Sequence, residues 1–260
     1  MSDRRRAARE GRAAVREAER KRASRRELLK RLGFGLGIGL AIILVAVVVQ
    51  FFGSRPDSQP PRYEEYLRQD AACGAEAPEP QSTETFGQPE PQPDLADASR
   101  VTALIETSCG PLEIELTPTT SASVESFVFL ARSGYYDGTM FHRVADDLGV
   151  YGGDHDADGT GSPGYRVPDD FPPSDFRFEP GVVALDNRGP GTTGATLFIA
   201  SGDEAAALPN THNILGTVVS GIETLEAMEE VHVQTQVGTV EESRPLETIY
   251  IESVEITVEP

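Results

Sequence analysis

Arg143 lies in the run Gly134-Tyr-Tyr-Asp-Gly-Thr-Met-Phe141-His142-Arg143-Val144, and nine residues after it comes Gly152-Gly153-Asp154. A guanidinium keeps its charge and holds several N–H bonds in one plane, so a fixed arginine can stabilise a distorted bound group without covalent chemistry. Other chemistries lack their residues. There is no GxSxG, HExxH or P-loop run. His142, His155, His212 and His232 are scattered, and Cys73 and Cys109 have no metal-ligand spacing. Asp154-His-Asp156-Ala-Asp158-Gly159 opens like a calcium loop, but position 12 falls on Tyr165 instead of Glu and no helix is expected to flank it. Gly159, Gly161 and Gly164 formally match GxGxxG, yet Pro163 interrupts the run and no helix follows. No metal and no cofactor are expected.

Further runs follow in a fixed order: Gly159-Thr-Gly161-Ser-Pro-Gly164-Tyr165, then Gly181-Val-Val-Ala-Leu-Asp-Asn187, then Gly194-Ala-Thr196-Leu-Phe198-Ile, then Leu208 and His212-Asn-Ile-Leu-Gly216. With the Phe141–Arg143 and Gly152–Asp154 motifs, their order and spacing over residues 100–258 resemble the cyclophilin family of peptidyl-prolyl isomerases. The resemblance implies a mainly β fold, a closed eight-stranded barrel capped by two α-helices, acting on proline-containing polypeptides. Rotation about an X–Pro bond meets a barrier of roughly 20 kcal/mol and takes tens to hundreds of seconds unaided. A catalyst must grip the proline ring and aim a donor at the prolyl nitrogen. Arg143 is the expected donor. Leu148, Phe198, Leu208 and His212 are implied to line the pocket, and the Asn187 backbone to hold the substrate main chain. Phe141, His142, Tyr151 and Thr196 complete the expected substrate-binding set, with His142 read as a structural hydrogen-bonder and not a base.

This sequence departs from the family pattern. Tyr151 and Thr196 stand where Gln is usual, Leu148 replaces a Phe, Gly149 a Met, Ala207 a Trp, and Asp186 puts a carboxylate in place of Ala. Tyr151 is expected to orient Arg143 through one hydrogen bond, and the pocket to be shallow. Activity is therefore expected to be weak or altered, with poor binding of the family's cyclic-peptide inhibitor. The alternative is a catalytically weak or inactive module that binds proline-containing segments.

The elements that would position these residues are legible. Val101–Ser108 and Leu112–Leu116 alternate apolar and polar, with Cys109-Gly110-Pro111 as the expected turn of a hairpin. Val124, Phe127, Val128 and Ala131 form the stripe of a helix over about 121–133, capped by Ser121 or Ser123. Ser220 to Glu223 reads as a capping box opening a second helix with Leu225 and Met228 inward, and Thr248–Val258 as a last strand.

The N-terminal part has another character. Leu32 to Val49 carries no charge, and residues 32–52 are long enough for a single transmembrane helix. Residues 1–31 hold 13 Lys/Arg against 5 acidic residues, while the remainder holds 10 against 37. The positive-inside bias puts 1–31 in the cytoplasm and the rest outside, as a single-pass protein of the cell membrane. Ser24 to Lys30 also resembles a twin-arginine export signal. The acidic outer part is a poor match for nucleic acid. Overlapping GxxxG patterns at Gly33/Gly37 and Gly35/Gly39 permit helix pairing and a weak homodimer. Residues 53–99, rich in Pro and Glu, read as an extended spacer, with a short helix over Tyr63–Asp70. On the exported side a Cys73–Cys109 disulfide is expected, the alternative being two free thiols.

Overall fold

The computed structural model describes residues 62–79, 84–234 and 243–260. The basic segment 1–31, the apolar run 32–52 with its GxxxG pairs and the start of the spacer lie outside the described residues. Among the described residues no helix is long and apolar enough to cross a membrane.

Eight strands close into a barrel: β1 (Arg100–Thr107), β2 (Gly110–Leu116), β3 (Met140–Ala145), β4 (Gly149–Gly152), β5 (Val182–Leu185), β6 (Leu197–Ala200), β7 (Asn213–Ser220) and β8 (Ile249–Glu259). Their order around it is β1-β2-β7-β5-β6-β4-β3-β8, with every neighbouring pair antiparallel. Strand alternation sends Val101, Ala103 and Ile105, with Leu112, Ile114 and Leu116, into a fully buried interior. The first hairpin turns one residue earlier than expected. Thr107 pairs with Gly110, so Ser108-Cys109 is the turn, pinned by Thr107 Oγ1 donating to the Gly110 carbonyl at 2.6 Å.

Two helices pack their apolar faces into the same interior. In α2 (Ala122–Arg132; α1 is described below), Val124, Phe127, Val128 and Ala131 are buried, and Ser121 Oγ accepts the Val124 N–H at 3.1 Å. In α3 (Ile222–Glu229), Leu225 and Met228 are buried as expected. The capping box does not form. Ser220 ends β7, and Gly221 takes the N-cap position at φ 88, where a Cβ would collide with the Pro111 carbonyl.

Over residues 62–99 the expected spacer does not run free; its described part straps the barrel. A short helix α1 (Arg62–Tyr66) is followed by Ala71 bridging to Thr248, and the Ala72 N–H donates to the Thr248 carbonyl at 2.9 Å. Cys73 is disulfide-bonded to Cys109. Further along, Phe86 meets Phe129 edge-on at 5.0 Å, Leu95 is buried, and Asp94 takes a two-pronged contact from Arg132. Proline-rich composition keeps long elements out of this segment. It does not prevent scattered apolar anchors from packing.

Candidate active site

Cross-strand register assembles the site on the outer face of the barrel. Arg143 pairs with Tyr151, Tyr151 with Phe198, Phe198 with Ala184 and Ala184 with Ile214. Directly opposed residues share a face, so this is one row across five strands. One step along, Val144, Val150, Ile199 and Val183 face the interior. The outer row belongs to a second apolar cluster with Ala145, Phe178, Val182 and Ala200, to which Leu148, Phe176 and Leu208 add their sides.

Arg143 is exposed and makes no hydrogen bond or ion pair among the described residues. Its guanidinium carbon lies 4.7 Å from the centre of the Tyr151 ring. Tyr151 therefore orients Arg143 through its π face, not through the hydrogen bond expected from sequence. Burial pushes the Tyr151 phenol up to about 12, with the Arg143 charge opposing, so the ring stays neutral beneath the cation. Below it, Tyr151 and Phe198 tilt together at 4.7 Å, and Phe178 sets an edge against Phe198 at 5.9 Å.

Phe198 has no solvent exposure, so the expected shallow pocket does not expose it: Tyr151, Phe178 and His212 pack around its ring. Gly149 contributes: a Cβ there would collide with the Phe198 ring and the Ile199 carbonyl. The loss of a side chain at Gly149 lets Phe198 settle onto the β4 backbone, and Tyr151 covers it. Thr196 is buried two residues before Phe198.

His212 completes the wall, its ring meeting the Phe178 edge at 5.8 Å. Its Nε2 lies 3.3 Å from Asp186 Oδ1, which places a carboxylate beside the site. Asn187 spends its side chain on the scaffold, donating from Nδ2 to the Thr211 carbonyl at 2.6 Å and accepting the Gly189 N–H at 2.9 Å. Its own main-chain N–H and C=O have no partner among the described residues.

Two expected contacts are corrected. A register shift between Phe141 and Arg143 turns both Phe141 and Val144 inward, so Phe141 belongs to the barrel core and not to the substrate surface. His142 points to the 154–161 loop, with Nδ1 3.2 Å from Asp154 Oδ2. Asp154, wholly buried, also accepts the N–H groups of Asp156, Gly159 and Gly161. The loop that begins like a calcium site is thus closed on its first carboxylate, and no metal-holding group occurs among the described residues.

Sequence reasoning missed Phe176 and Phe178. They lie in a stretch without strand or helix, where no periodicity marks an inward residue.

Burial holds His142 below the ordinary histidine range, against the opposing Asp154 charge. Burial does the same to His155, which stacks on Tyr135 at 3.9 Å. A histidine depressed on folding binds its proton more readily when unfolded. These two groups therefore withdraw stability as pH falls below about 6.5. Tm is expected to be lower at pH 5.5 than at 7.5, with both imidazoles titrating at lower pH in the folded chain than in the unfolded chain by NMR. Imidazoles that titrate at the same pH as in the unfolded chain, or higher, would refute this.

A closed antiparallel barrel carrying an outward arginine over an aromatic patch defines a class that the comparisons identify. Residues 102–256 match the family model described as cyclophilin type peptidyl-prolyl cis-trans isomerase. The chain is 33% identical over 175 residues to peptidyl-prolyl cis-trans isomerase B of Streptomyces anulatus, covering 60% of this chain and 97% of that one. It is 35% identical over 123 residues to peptidyl-prolyl cis-trans isomerase A of Mycobacterium tuberculosis, covering 47% and 65%. A cyclophilin type isomerase of Cryptosporidium parvum, solved in the presence of the dipeptide Ala-Pro, superposes with a TM-score of 0.53 at 25% identity, covering 60% and 98%. The chain belongs to the cyclophilin type peptidyl-prolyl cis-trans isomerase family.

Proposed function

We propose that this chain catalyses cis–trans exchange at X–Pro bonds of exported proteins, tethered outside the cell membrane by residues 32–52. The observation that carries the catalytic part is the exposed Arg143 guanidinium, without hydrogen bond or ion pair among the described residues, stacked over Tyr151 at the edge of an apolar face. A proline ring entering from that side displaces Tyr151 from Phe198 and takes its place against the ring. The Asn187 main chain pairs with the peptide, and Arg143 donates to the prolyl nitrogen as the amide twists. Stabilising the pyramidal nitrogen weakens its delocalisation into the carbonyl, which is the source of the barrier. No bond is made or broken.

Export and anchoring rest on the charge asymmetry around the apolar run and on the disulfide, a bond that persists in oxidising compartments. The covered Phe198 supports a second reading, a module that holds proline segments without turning them over.

Exchange spectroscopy on a short Ala-Pro peptide with the full-length chain separates the two. Catalysis predicts exchange cross-peaks at substoichiometric protein; binding alone predicts broadened peptide lines with unchanged exchange.

Asp186 makes a further prediction. A carboxylate beside the Asn187 main chain favours a cation on the residue before proline. Lys-Pro peptides are expected to be turned over about two- to fivefold faster than Glu-Pro peptides, the factor supplied by an ion pair of ~0.5–1 kcal/mol. Asp186→Asn should erase the difference; an unchanged ratio would refute it.

A further inference from the structure

We infer that Tyr66, in the strap and outside the family-matched region, is a positioning residue for Arg143, held in place by the Cys73–Cys109 disulfide. The inference rests on the isomerase reading of Arg143. β3 is paired on both sides only at its start, where Met140 and Phe141 face Tyr250 and Ile249 of β8. Beyond Phe141 the two strands part, because Thr248 turns to pair with Ala71 of the strap. The stretch that carries Arg143 therefore keeps one ladder partner, β4, and is irregular even there.

Backbone groups on an unpaired strand edge need other partners. The Val144 N–H finds one in the Ser243 carbonyl at 2.8 Å. The His142 carbonyl, in the peptide linking His142 to Arg143, accepts the Tyr66 hydroxyl at 2.8 Å. Tyr66 is itself fixed: its side chain is 1% exposed, Arg244 lies 4.5 Å over its ring, and its carbonyl accepts Thr248 Oγ1 at 2.8 Å. Arg244 in turn pairs with Glu65 at 3.0 Å. Seven residues on, the disulfide ties the strap to the turn of the first hairpin. The strap thus replaces the missing strand along the edge beside the guanidinium, and its hydroxyl fixes the peptide plane from which Arg143 departs.

Tyr66→Phe keeps the ring, its burial and the Arg244 contact, and removes only the donor. In the full-length chain it is expected to lower kcat for an Ala-Pro peptide about three- to tenfold with KM unchanged, because misplacing a transition-state donor costs rate more than binding. Cys73→Ser with Cys109→Ser should lower kcat by a similar factor while most molecules remain folded. The Nε–H resonance of Arg143, identified by its loss in Arg143→Lys, should shift or broaden in both variants. An unchanged Arg143 resonance, or a kcat loss that merely follows the unfolded fraction, overturns the inference. If the wild-type chain proves inactive, the proposed function falls, and the Arg143 resonance still decides whether Tyr66 holds that residue.

Discussion

Arg143→Ala is expected to lower kcat/KM for a proline-containing peptide by about 10²–10³-fold, the effect of removing one preorganised donor to a transition state. The loss should fall on kcat, since the guanidinium is called on when the nitrogen pyramidalises and less in the ground state. Folding should be spared, because Arg143 is exposed and makes no hydrogen bond or ion pair among the described residues. Arg143→Lys should recover only part of the rate, since an ammonium lacks the planar fork and stacks poorly on Tyr151. Rates within twofold of wild type in the alanine variant would remove Arg143 from the mechanism.

The second large effect concerns stability. Cys73 and Cys109 are 36 positions apart, and closing a loop of this size is worth about 3–4 kcal/mol in the loop-entropy model. Cys73→Ser with Cys109→Ser should therefore lower Tm by about 6–16 °C for a unit of about 200 residues. The strap also loses its clamp beside Thr248, so amides of residues 62–79 should exchange with solvent earlier than those of β1 and β2. A Tm change under 2 °C would contradict the assignment of the strap as part of the fold.

The first hairpin was legible because β1 and β2 alternate, and α2 because its apolar residues follow a serine cap, whereas β4, β5 and β6 are buried at every position and the closed barrel was implied by the family resemblance. Arg143, Tyr151, Phe198, Leu148, Leu208 and His212 were legible as a set because motif spacing locates them; β-sheet register brings Arg143, Tyr151 and Phe198 to one face, and Leu148, Leu208 and His212 pack against it from the connecting segments. Three things were not. The irregularity at His142 inverts the alternation, which is why Phe141 turns inward against expectation. Phe178 comes from a loop whose path no local pattern encodes. The packed strap is read from composition as a spacer, because its anchors Tyr66, Ala72, Phe86 and Leu95 are too far apart to form a periodic signal. The departures at Gly149 and Tyr151 were visible one at a time. Their joint result, a pocket closed by its own aromatic rings, required coordinates.

That closure makes the central claim testable in one experiment, a structure of the full-length chain bound to an Ala-Pro peptide. The account predicts the proline ring seated against Phe198, the Tyr151 ring moved aside, and the Arg143 guanidinium within hydrogen-bond distance of the prolyl nitrogen. A peptide bound elsewhere, with Phe198 still covered by Tyr151, would contradict it.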